Sequence, residues 1–386
     1  MTTIINSSKL FYASKIALIA TAMTFAVRAN LISDIGNEFS ISNKDMGIVF
    51  GTAFWGFTLS IIIGGSLCAY FGLKNLLKLA FAAHISGILL TIFSTGFWSL
   101  FGSTLLIGIA NGFVEAACNP LVANLFPNDK TKRLNQFHVW FPGGIVIGGL
   151  VAYVMTKYGL NWQIQTATIL IPTLIYGFLF LKDPLPQLAT TDQHQSSNIK
   201  MLKSCISPLF FIMVISMLLT AATELGTNQW ITELLSNTGV SAILLLVFIN
   251  GLMAIGRSFA GSFEKLLSPP GMLLFSAFFT TLGLILLSSV TGYLLFGAAT
   301  VFAIGICFFW PTMLGFVSEY LPETGAIGLS IMGGAGMLSV ATVLPFIGDI
   351  YDVHGGVMTL RYVAILPAFL VIVFGLLYTF KSKYQH

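Results

Sequence analysis

The chain has 386 residues, of which 56% are hydrophobic and 8% charged, with a formal net charge of +4 and a mean hydropathy of +0.90. A water-soluble domain clothes its surface with about 25% charged residues, so this composition excludes a soluble globule and makes lipid the solvent. The ten-residue alternation of an outer-membrane barrel is absent, and near-continuous apolar runs such as residues 206–219 are too long for it, which leaves spanning helices.

A spanning helix takes about 20 apolar residues. In chain order the sequence predicts twelve, over residues 11–33, 46–71, 75–98, 100–126, 136–157 and 162–181, then 205–232, 240–263, 271–291, 293–318, 325–350 and 357–380. The first lacks a small-residue cleavage site followed by a soluble domain, so it is expected to be a retained helix and not a removable signal peptide. The one polar interval, residues 182–203, contains Pro184 and Pro186 and reads as a solvated linker. The expected organisation is an all-α membrane protein with an N-terminal six-helix bundle over 1–181, a cytoplasmic linker over 182–204 and a C-terminal six-helix bundle over 205–386.

Basic residues near spans are retained on the cytoplasmic side. With both termini inside, Lys9, Lys15, Lys74, Lys78, Lys130, Lys132, Arg133, Lys182, Lys200, Lys203, Arg257, Lys265, Lys381 and Lys383 fall there, fourteen of the eighteen Lys and Arg residues. Only Lys44, Lys157 and Arg361 fall outside, and Arg28 lies within the first span. This bias predicts a multi-pass protein of a bacterial-type inner (plasma) membrane, and it accounts for the net charge without a nucleic-acid partner. The four cysteines, Cys68, Cys118, Cys205 and Cys307, lack C-x-x-C spacing, so neither a disulfide framework nor a zinc site is indicated and they read as packing residues.

A faint internal repeat follows the second span of each half: Gly64-Gly65-Ser66-Leu67 before Gly72 and Lys74, and Gly256-Arg257-Ser258-Phe259-Ala260-Gly261 before Lys265. The first copy resembles the signature of the major facilitator superfamily, G-x-L-a-D-r-x-G-r-k, and keeps Gly65, Leu67, Gly72 and Lys74. Ala69, Tyr70 and Leu73 stand at its acidic and basic positions, which puts in doubt the cytoplasmic charge network the family uses in this half. The resemblance implies twelve transmembrane helices in two pseudo-twofold six-helix bundles around a central cavity. Val27-Arg28-Ala29-Asn30-Leu31, with Met46-Gly47-Ile48-Val49-Phe50 and Phe54-Trp55-Gly56, resembles the anion:cation symporter branch (D-R-x-N-L, q-M-G-x-v-F, F-F-W-G-Y), with Val27 at the acidic position. Glu115-Ala116-Ala117-Cys118-Asn119-Pro120 before Arg133-Leu134-Asn135 resembles the fucose and hexose proton-symporter branch, as do Glu224-Leu225-Gly226, Trp230 and Gly256-Arg257.

An ionised side chain in mid-span costs about 2.5–3.5 kcal/mol even on the lenient insertion scale, and Arg28, Glu115 and Glu224 occupy such positions. Arg28 either presents its donor fork to a solute or snorkels to the outer interface. Glu115 is either a reversible proton carrier, with Arg28 as the candidate counter-ion, or a carboxylic acid held protonated by a neighbouring carbonyl. Glu224, grouped with Thr223, Thr227, Asn228 and Trp230, is a solute or second proton site or the polar glue of a helix contact. Asn30 and Asn119 add hydrogen-bonding groups to the coupling set, while Gln136, His138, Trp140, Trp230 and Trp310 are candidates for the solute cavity. A lone indole is commonly packing or interface belt, a lone His a structural hydrogen-bonding residue, and Trp310-Pro311 marks a helix irregularity.

No phosphate loop, H-E-x-x-H segment, nucleophile elbow or metal-ligand cluster is present, so neither an enzyme nor a resident cofactor or metal is expected. The sequence thus favours proton-coupled symport of a sugar or related polar solute by a protein acting as a monomer. An organic anion is the alternative solute, peptide or drug transport a weaker third reading, and a non-transporting receptor on the same fold a rival of another class.

Overall fold

The computed structural model describes residues 6–127, 130–182, 184–186, 195–236, 238–257 and 259–380. Ser258, Lys381, Lys383 and linker positions 183 and 187–194 lie outside the described residues, as do the side chains of Ser66, Leu67, Cys68, Ala69, Tyr70, Lys130, Lys132, Asn135, Ala260 and Lys265. Among the described residues there is no β-strand.

Among them ten helices are long and apolar enough to cross a membrane, the last of them broken in two, and one further apolar helix, Ala242–Arg257, is shorter. They are α1 Ser7–Asn30, α2 Asn43–Gly64, α3 Gly72–Ile92, α4 Phe97–Leu125, α5 Gln136–Lys157 and α6 Trp162–Lys182, then α7 Pro208–Leu234, α8 Ala242–Arg257, α9 Leu266–Leu287 and α10 Leu294–Tyr320. The last pair is one apolar stretch, Ile327–Thr379, that Gly355 breaks with a φ of 72° into α11 (327–354) and α12 (356–379). Helix ends move a few residues from the sequence expectation where caps decide them. The Asn6 side chain accepts from the Lys9 amide and starts α1. Phe97 and Trp98 belong to α4 and not to the preceding span, because Gly96 turns the chain and Ser99 Oγ receives its N–H at 3.2 Å.

The chain divides into two compact units, residues 1–190 and 191–386, carrying α1–α6 and α7–α12. Within a bilayer, apolar burial does not drive helices together, so close backbone approach and dispersion hold them. In the first unit α2 and α4 meet where a Cβ on Gly108 would stand 2.1 Å from the Ala53 carbonyl oxygen, and one on Gly56 2.4 Å from that of Leu105. The same close approach joins α9 to α10 in the second unit, at Gly283 against Phe302.

The internal repeat is written in the backbone as well. Gly72, at the turn into α3, has φ 75° and ψ 159°, and Ser268, near the start of α9, repeats this with φ 60° and ψ 160°. Gly159 between α5 and α6 and Gly355 between α11 and α12 form a second matching pair, with φ of 68° and 72°. Left-handed steps therefore follow the second and fifth helices of each half.

Candidate functional site

Arg28 lies in the last turn of α1 and is 8% exposed. Its guanidinium carbon sits 5.0 Å from the ring centre of Phe25, 5.3 Å from Phe50 and 5.5 Å from Phe54. Phe50 and Phe54 come from the α2 segment that shares the anion:cation symporter pattern, so that segment supplies an aromatic box for the cation. The side chain is packed inside its unit and does not snorkel along the outer surface. Asn30 gives both amide hydrogens to neighbouring elements, at 3.1 Å to Thr156 Oγ1 and 3.1 Å to Gln165 Oε1. These bonds tie α1 to the α5–α6 corner.

Glu115, one turn before Asn119 on α4, accepts a hydrogen bond at 3.0 Å from the Asn119 amide nitrogen. Asn119 Oδ1 in turn faces His138 Nε2 at 3.0 Å. Since the amide nitrogen is already donating, Oδ1 accepts and His138 carries its hydrogen on Nε2. Glu115 is partly exposed, and among the described residues it makes no ion pair. Arg28 is not its counter-ion. Asn111 Nδ2 donates to Thr24 Oγ1 at 3.0 Å, which puts those two residues level. Arg28 and Glu115 then lie four residues to either side of that level, about 12 Å apart along the antiparallel helix axes.

The same rung leads to a network that the sequence reading missed. Thr24 spends its hydroxyl hydrogen on the Thr21 carbonyl, so its oxygen can only accept from Asn111. Asn111 must then turn Oδ1 toward His84 Nε2, 2.7 Å away, which fixes the His84 hydrogen on Nε2. Nδ1 is left to accept from the Tyr176 hydroxyl at 2.8 Å. His84 and Asn111 are fully buried, and this one-way chain through α1, α3, α4 and α6 is complete with a neutral imidazole. A search for charged residues passes over it; the available signal was a His and an Asn buried in separate spans, each needing partners.

Gln136 and His138 are exposed and Trp140 partly so. Gln136 accepts from Arg133 at 3.1 Å, and Lys15 Nζ lies 6.0 Å from the Trp140 ring.

In the second unit Glu224 sits in a π-helical turn, residues Ala222–Gly226 of α7, a distortion frequent at functional sites. Its carboxylate accepts from Arg257 at 3.1 Å, with the two side chains 4% and 21% exposed respectively. Arg257 Nε donates to the Cys307 carbonyl at 3.1 Å. The sequence reading counted Arg257 among the cytoplasmic orientation charges. It is instead the partner of the buried carboxylate, because a carboxylate in a low-dielectric interior takes the nearest cation. Beside the pair, Thr227 Oγ1 and Asn228 Oδ1 are buried without hydrogen-bond partners. Trp230 is packing: it is 1% exposed, donates to the Leu344 carbonyl at 3.2 Å and stacks on Tyr351. Trp310 packs against Gly336, where an added Cβ would stand 2.7 Å from the ring.

The sequence profile of the Major Facilitator Superfamily matches residues 16–323. The chain belongs to this superfamily. Relatives include a D-xylose transporter of Levilactobacillus brevis, 27% identical over 152 residues, covering 39% of this chain and 33% of that protein. A hexuronate transporter of Bacillus subtilis is 27% identical over 154 residues, covering 38% of this chain and 35% of the relative. These alignments therefore span about a third of the length of the curated relatives. Among solved structures, a mutant of the nucleoside transporter NupG superposes with a TM-score of 0.82 over 95% of this chain and 99% of that one, at 13% identity. A D-xylose-proton symporter superposes with a TM-score of 0.79 over 98% of both chains, at 14% identity. The fold is thus the major facilitator fold, in a multi-pass membrane protein.

Proposed function

We propose that this protein is a secondary active transporter that couples proton movement to the symport of a sugar or related small polar solute by alternating access. The observation that carries the reading is the setting of Glu115: a partly exposed carboxylate on a spanning helix, bonded to one neutral amide and, among the described residues, to no cation. Proton binding removes the charge to which Asn119 donates, and the Asn119 amide also holds His138. The proton state of α4 is thereby felt at the start of α5. Glu224 with Arg257 supplies a neutralised polar centre in α7, and the orphaned Asn228 oxygen beside it offers an acceptor to a solute hydroxyl.

The D-xylose and hexuronate transporters among the relatives support the solute class, and the count of basic residues by loop supports cytoplasmic termini in a bacterial-type inner membrane. The six-plus-six organisation with a linker over 182–204, and action as a monomer, belong to the same reading. Arg28 favours a second solute class, organic anions such as sugar acids, because a guanidinium in an aromatic box is suited to a carboxylate.

In proteoliposomes under an imposed proton gradient, Glu115→Gln is expected to abolish concentrative uptake while exchange of preloaded solute continues. Unchanged accumulation in that variant would refute the proton role. Saturation by monocarboxylates that is lost in Arg28→Gln would select the anion over the sugar.

A further inference from the structure

At the end of the first unit where α1 begins, two cations share one aromatic surface. Lys15 Nζ lies 4.2 Å from the centre of the Phe11 ring, and the Arg133 guanidinium carbon lies 5.7 Å from the same ring and 4.6 Å from Phe126. Because both face Phe11, they are at most about 10 Å apart. Phe11 and Phe126 pack edge to face at 5.3 Å, and Trp140 closes the Lys15 side.

Like charges this close repel, and the repulsion is weakly screened among aromatic rings. The ring faces attract a cation but carry no net charge, so they do not cancel it. Among the described residues neither Lys15 nor Arg133 has a carboxylate partner. The Arg133 fork is also half unused: one terminal nitrogen donates to Gln136 at 3.1 Å, while Nε is buried with no hydrogen-bond partner. A buried orphan donor on a permanent cation is costly, and the unused edge of the fork has the geometry that takes two oxygens of an oxyanion at once. Solvated orientation charges would behave differently, holding their donors in water and their charges apart.

We propose that Lys15 and Arg133 form a binding site for a phosphate oxyanion at this end of the N-terminal unit. Arg133 takes two of its oxygens after a small turn of the fork, and the Lys15 ammonium neutralises the remaining charge. Lys15 lies eight residues into α1, about 12 Å from its start, within the reach of a lipid headgroup phosphate at that leaflet as well as of free phosphate. The test measures binding and requires no transport.

The full-length protein is placed in nanodiscs of phosphatidylcholine alone or mixed with phosphatidylglycerol, and separately in phosphatidylcholine discs titrated with inorganic phosphate against sodium chloride of equal ionic strength. Thermal unfolding is read in each case for the native chain and for Lys15→Gln/Arg133→Gln. A rise in midpoint with phosphatidylglycerol that is lost in the double variant assigns the site to a lipid headgroup. A rise with phosphate beyond the chloride control, again lost in the variant, assigns it to a soluble oxyanion. Equal responses of the native chain and the variant to both ligands, or no response in either, overturn the proposal. If the double variant does not fold, Arg133→Lys decides: it keeps the charge but loses the fork, so at least a tenfold weaker response is expected, and an undiminished one overturns the site.

Discussion

Replacing Ser268 by glycine should make the protein more stable. Ser268 holds φ 60° and ψ 160°, a region that belongs essentially to glycine and costs other residues about 1–3 kcal/mol. Its hydroxyl is buried without a hydrogen-bond partner, a further penalty of about 1–3 kcal/mol. Against these stands the extra freedom of glycine in the unfolded chain, about 0.4–1 kcal/mol. The net expectation is a gain of about 1–5 kcal/mol. Pro269 follows directly and keeps the preceding residue out of the helical region, so the turn persists in the variant. Thermal unfolding of the purified protein in detergent measures the effect. Ser268→Ala separates the two sources, since it removes the orphan hydroxyl and keeps the Cβ. The reciprocal Gly72→Ser is expected to lose about 1–3 kcal/mol, and no atom lies within 4 Å of a Cβ built there, so that loss is conformational. If Ser268→Gly is no more stable than Ser268→Ala, or if Gly72→Ser is neutral, the argument from matched turns fails.

Three further outcomes follow from the packing and the buried pairs. His84→Leu strands the Asn111 oxygen and the Tyr176 hydroxyl, and adding Tyr176→Phe removes one of those orphans. The double variant should therefore unfold at or above the temperature of His84→Leu, whereas independent sites would add their losses. Arg257→Gln leaves Glu224 buried without its cation and is expected to lose about 3–5 kcal/mol; combining it with Glu224→Gln should recover most of that in the same thermal assay. Gly108→Leu places side-chain atoms inside the Ala53 backbone, which should separate α2 from α4 and abolish recovery of folded protein on size exclusion, while Gly102→Leu, in open space on the same helix, should be recovered normally.

The number and order of the spanning helices were legible from composition and apolar runs, because every backbone group in hydrocarbon must be satisfied within its own segment and helices alone do this. Their ends were less so, since a cap such as Gly96 with Ser99 is a local hydrogen-bond decision inside an apolar stretch and hydropathy does not register it. The residues carrying unusual chemistry were found where they were charged: Arg28, Glu115 and Glu224 were each singled out by the cost of their charge. Their partners were not. Glu224 needed Arg257, 33 residues away, and Glu115 was matched to the wrong helix turn. A linear sequence gives the depth of a side chain only through its distance from a helix end, and small errors at each end can shift two helices past each other by a full turn or more.

The neutral groups were harder still, and for a reason that bears on how such proteins are read. An Asn, a Tyr or a His costs little enough in a span to raise no alarm, yet each must find a partner once water is gone. In this chain their partners are each other: Thr24, His84, Asn111 and Tyr176 come from four different helices and close a chain with one direction of donation. Asn111 and Glu115 lie one turn apart on α4, so the network holds that helix a turn away from the carboxylate proposed to carry the proton. The buried network and that carboxylate are thus neighbours on a single helix, and the separation between them is set by the hydrogen-bond partners of neutral residues.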